Sequence, residues 1–195
     1  MVRFVHFITA MTAILASAVT AAPLCEGSMR AFSGQAYRSD CLPTASLREY
    51  QPFRIESIKL GSFLAKEFFS NFVVGSGSNQ DTLEVCVVTG DGPCNPKAPP
   101  HCIRQNVDYR IRVERPVEGY LKVQNNLVQI INDIGKASNF QLYEDDDFRI
   151  GYRNFKGEQL VISTNGQLKP VTLEKPEKDI KQSFQLHPTF YYRRW

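Results

Sequence analysis

Five cysteines carry the most definite chemistry in this 195-residue chain: Cys25, Cys41, Cys86, Cys94 and Cys102, all in its first half. Thiols can ligate metal, act as nucleophiles or cross-link. None of these spacings is C-x-x-C, and structural zinc sites are commonly built from such pairs with histidines. The histidines are His6, His101 and His187. No metal site is therefore expected, and the cysteines read as disulfide candidates. Cys25 and Cys41 flank a polar stretch without periodicity, which a bridge between them would clasp. Cys94 and Cys102 would close a loop over residues 95–101. Cys86 is then left over; placed outward on a strand, it would reach Cys94 or Cys102 and break that ring.

The loop reads Cys-Asn-Pro-Lys-Ala-Pro-Pro-His-Cys. Prolines and a bridge restrict a loop before it binds, so less entropy is lost on docking. Lys97 is the side chain that a trypsin-like specificity pocket takes. Pro96, Lys97 and Ala98 are therefore the candidate protease-contact residues. Catalysis has less to stand on. A hydrolase triad needs a serine with a histidine base, and His101 lies in a loop while His187 follows a strand. There is no G-x-S-x-G and no glycine-rich phosphate loop after a strand. A non-enzymatic protein without cofactor is expected.

The chain begins with an address. A basic start at Arg3 precedes an apolar stretch over 4–16 and small residues over 17–22. Val19-Thr20-Ala21 fits a small-residue cleavage site, so 1–21 reads as a signal peptide. The expected location is extracellular, where disulfides persist, with no stable membrane insertion. The net charge is +3, too small to call for nucleic acid. Hydrophobic residues at 43% and charged residues at 22% fit a globular chain.

The body carries one pattern three times. Phe53-Arg54-Ile55, Tyr109-Arg110-Ile111 and Phe148-Arg149-Ile150 are each followed by a glycine: Gly61, Gly119 and Gly157. An alternating or apolar stretch comes next. Asn125-Asn126 and Asn165-Gly166 then supply hairpin turns. Leu83-Glu84-Val85, Phe140-Gln141-Leu142 and Phe184-Gln185-Leu186 close each stretch, and such alternation marks strands with one face in and one out. Residues 62–72 are dense enough in apolar side chains to suggest a helix, yet read as strand by analogy with the other two stretches.

This triplication resembles the β-trefoil superfamily over 51–188. The resemblance implies an all-β trefoil of three four-stranded units. Each aromatic-Arg-Ile triplet would then be a first strand, aromatic and Ile inward, Arg outward. It also implies domain limits: a disulfide-clasped segment over 22–50, the trefoil over 51–188 and an aromatic, basic tail over 189–195. The 94–102 loop resembles the inhibitory loops of Kunitz-type and Bowman–Birk-type inhibitors, although strict Bowman–Birk register puts Pro96, not Lys97, at the specificity position. The lectin branch carries Gln-x-Trp, and here Tyr143 and His187 follow Gln141 and Gln185, so no sugar-binding residue carries over. The acids 144–147 lack the alternate spacing of a calcium loop and read as a solvated turn. The expected function is a secreted monomer that binds through its loops, its partner a protease or else a glycan met by a lectin-like surface.

Overall fold

A computed structural model describes residues 42, 47–77, 81–95, 97, 101–105, 107–144 and 147–189. The signal peptide, Cys25, Cys41, Pro96, Ala98 and the tail beyond 189 lie outside the described residues. Twelve strands follow one another: β1 (Phe53–Ser57), β2 (Ser62–Lys66), β3 (Val73–Gly75), β4 (Glu84–Val88), β5 (Asp108–Arg115), β6 (Gly119–Gln124), β7 (Leu127–Ile131), β8 (Asn139–Glu144), β9 (Phe148–Arg153), β10 (Gln159–Ser163), β11 (Thr172–Glu174) and β12 (Phe184–Pro188). The helical pieces among the described residues are two single turns, Ile134–Lys136 and Ile180–Gln182, each started by an aspartate (Asp133, Asp179) whose carboxylate accepts a backbone N–H. Both aspartates are held below the usual carboxylate range, Asp133 first by the Lys136 side chain and Asp179 first by the Lys181 N–H.

The expected all-β class stands; of the stretch 62–72 expected as strand, 62–66 is strand, and the strand reading of the rest is corrected, since the chain bends over 68–71. The expected β-trefoil is corrected. Hydrogen-bonded neighbours run from β1 through β4, β5, β8, β9 and β12 back to β1, so the strands form a closed antiparallel barrel with further strands attached. The three stretches do not pair as equivalent units. β1 meets β4 at one residue pair, Phe53 with Val85, while β5 meets β8 at Asp108, Tyr109 and Arg110. β9 meets β12 at one pair, whereas β12 runs beside β1 over the whole of both strands. The physical reason is closure: strands from different stretches must pair to satisfy their edges, and those pairings are unequal.

One apolar cluster fills the barrel. Phe53, Ile55, Tyr109, Ile111, Phe148 and Ile150 all belong to it, with Leu83, Val85, Phe140, Leu142 and Phe184. Thus every aromatic-Arg-Ile triplet faces as expected: Arg54 is exposed, and Arg110 and Arg149 are half-buried. Alternation alone dictates this, because successive side chains of a strand take opposite faces. Burial raises the Tyr109 phenol; its hydroxyl accepts the Arg104 N–H at 3.0 Å. Elsewhere in the interior, Ser57 and Thr164 share a hydroxyl hydrogen bond of 2.7 Å. The Gln182 amide accepts from the Glu177 N–H and donates to the Lys175 carbonyl. Buried polar groups satisfied in this way add specificity without an orphan's penalty.

Candidate functional site

The connection from β4 to β5 spans 89–107 and contains Cys94, Lys97 and Cys102. Connections this long without regular structure are uncommon in compact domains and usually functional. Its root is fixed on the barrel wall. Cys86, in the middle of β4, forms a disulfide with Cys94, with Cα atoms 5.7 Å apart. This corrects the expected Cys94–Cys102 ring: the outward side of β4 puts Cys86 beside the start of the loop, where Cys94 lies. Cys102 is disulfide-bonded as well, and its strand-like bridge to Arg48 ties down the far end of the loop. A described disulfide suits an oxidising compartment.

Polar contacts reinforce the root. The Cys94 N–H donates to Glu114 Oε1 at 2.9 Å. Arg112 Nε donates to that same oxygen at 2.7 Å, and Arg112 Nη1 donates to the Tyr120 hydroxyl at 3.0 Å. Burial lowers the basicity of Arg112, but these bonds to Glu114 and Tyr120 outweigh it, and the guanidinium is held more firmly charged than usual. A charge-assisted bond of this kind is among the stronger ones. The Asn95 N–H donates to the Tyr50 carbonyl. Tyr50 sits in the left-handed region at φ 64° and folds back so that its hydroxyl accepts the Gly90 N–H at 3.0 Å. Beneath lies a second apolar cluster of Cys86, Val88 and Tyr120, with Tyr50, Cys94, Ile131, Ile134 and Ala137 packed on it.

Lys97 is exposed beyond this root. Its N–H donates to Asn95 Oδ1 at 2.9 Å, a side-chain turn that replaces a backbone one. Lys97 is thus exposed three residues past a fixed base. Among the described residues no cluster of His, Cys, Asp and Glu has the makings of a metal site. His101 is exposed at the end of the loop. His187 is on β12, its Nε2 2.6 Å from Glu56 Oε2 and its ring edge-on to Phe63. Of the acid run, Asp147 has a structural task, accepting the Ser183 hydroxyl at 2.8 Å.

Sequence reasoning missed two features. Glu84, the polar centre of a closing triplet, is buried at 3% exposure, and its Oε1 has no hydrogen-bond partner among the described residues. Burial raises its carboxyl above the ordinary value, against the opposing charges of Arg115 and Arg54. Phe68 and Phe69 stand out from the β2–β3 turn; the apolar density of 62–72 flagged the segment but not its exposure. No helix among the described residues is long and apolar enough to cross a membrane. No protein-family model matches the sequence, and no curated protein matches it either.

Proposed function

We propose that this is a secreted, non-enzymatic binding protein that acts through the 89–107 loop, with Lys97 as the contact residue for a protease of trypsin-like specificity. The carrying observation is the mounting of Lys97: exposed, set in the Asn95 turn, three residues past a disulfide that pins Cys94 to β4. A substrate-like segment inhibits when it binds well and gains little freedom on cutting. Both follow from restricting it beforehand. Bridges at Cys94 and Cys102 limit how far the cut ends would separate.

Titration of trypsin, chymotrypsin and subtilisin with the purified chain tests this. The expected result is a stoichiometric endpoint with trypsin that Lys97→Glu abolishes, because the pocket that accepts lysine repels a carboxylate. Rapid cutting after Lys97 without loss of trypsin activity overturns the proposal.

A further inference from the structure

The β2–β3 turn shows two phenylalanines to solvent, Phe68 at 80% and Phe69 at 93% exposure. Their rings pack edge-to-face, with centroids 4.8 Å apart. The turn that carries them satisfies its own polar groups. The Glu67 N–H donates to the Phe72 carbonyl at 2.9 Å. Ser70 Oγ donates to the Glu67 carboxylate and accepts the Phe72 N–H. Lys66 Nζ caps the Glu67 carbonyl at 3.1 Å. At the stem, the Ile130 N–H donates to the Asn71 carbonyl at 2.7 Å. These bonds hold the base of the turn, and the two rings are already packed on each other at its tip.

We propose that the Phe68–Phe69 tip docks reversibly into a lipid–water interface. Size selects this occupant. Two rings bury about 300–500 Å², below the roughly 600–1,000 Å² that each partner buries in a specific protein–protein interface. The tip alone therefore does not hold a second copy of this chain, whereas a lipid surface needs nothing beyond the rings. Phenylalanine is among the side chains that interfacial segments bury at that depth. Two rings give attachment of the order of one myristoyl chain, which is marginal and reversible.

The test is co-sedimentation of the full chain with vesicles of phosphatidylcholine and phosphatidylserine. The protein should pellet with lipid at millimolar concentrations, and Phe68→Ser with Phe69→Ser should weaken partitioning by at least about tenfold. Phe155, exposed at 93% on another turn, is the control, and Phe155→Ser should leave partitioning nearly unchanged. A Phe69→Trp variant gives a second reading: its emission should shift to the blue on adding vesicles. The proposal is overturned if the unaltered chain stays in solution, if the double variant pellets equally, if Phe155→Ser weakens binding as much, or if the tryptophan at 69 shows no shift.

Discussion

Replacing Cys86 and Cys94 together by alanine probes the loop root without leaving a new free thiol. The bridge links residues 8 apart in sequence. Cross-linking a segment that short removes unfolded-state entropy worth about 2.5 kcal/mol at 25 °C. In a chain of this size each kcal/mol moves the melting temperature by about 2–4 °C, so the variant should melt roughly 5–10 °C lower. Thermal unfolding followed by circular dichroism reads the shift. The same variant frees residue 94 from β4 and leaves the root to hydrogen bonds, chiefly the residue-94 N–H to Glu114 and the Asn95 N–H to the Tyr50 carbonyl. Tryptic cutting after Lys97 should accelerate accordingly. A melting temperature within 1 °C of the unaltered chain, or a peptide map joining Cys94 to Cys102, would refute the reasoning.

Glu84→Gln tests the buried carboxyl. Burial raises its folded-state pKa above the unfolded one, so the folded chain holds this proton to higher pH. Its contribution to stability therefore falls as pH rises from the ordinary carboxyl value through the raised one, and is level above that. Denaturant unfolding between about pH 4 and pH 8 should show a flatter profile in the variant, which should also be no less stable at neutral pH; an unchanged slope contradicts this. Gly119→Ala would put a Cβ 2.6 Å from the Ile131 carbonyl oxygen and 2.8 Å from Ile130 Cγ2. Backbone on one side cannot yield, so a loss of about 1–3 kcal/mol is expected, and an unshifted melting temperature would show that β6 and β7 part more easily than their pairing implies.

The position and facing of many strands were legible because a strand writes its two faces into alternating residues. Phe53, Tyr109 and Phe148 with their isoleucines could face only inward. The pairing was less legible. Repetition of a local pattern says little about how unequal the contacts between stretches are, and closure through β12 and β1 is set by residues far apart in sequence. The disulfide failed for a similar reason. Cys94 lies equally far in sequence from Cys86 and from Cys102, so spacing could not choose between them, and proximity is decided by the side of β4 on which Cys86 emerges. Glu84 looked solvent-facing by alternation, yet β4 is buried along its whole length. Phe68 and Phe69 fell in a stretch expected to be strand; the turn that interrupts it after Lys66 points them outward.

The pairing of β12 with β1 sets an order of events during synthesis. Residues 53–57 leave the ribosome early, and their partners 184–188 follow more than a hundred residues later. Until then β1 and β9 each lack their β12 neighbour, and bare strand edges recruit other chains. Distant strand pairing is also slow, because the intervening loop must be closed before contact is rewarded. The nascent chain consequently keeps those edges open until residues 184–188 have emerged, and β12 acts as the latch that ends that state.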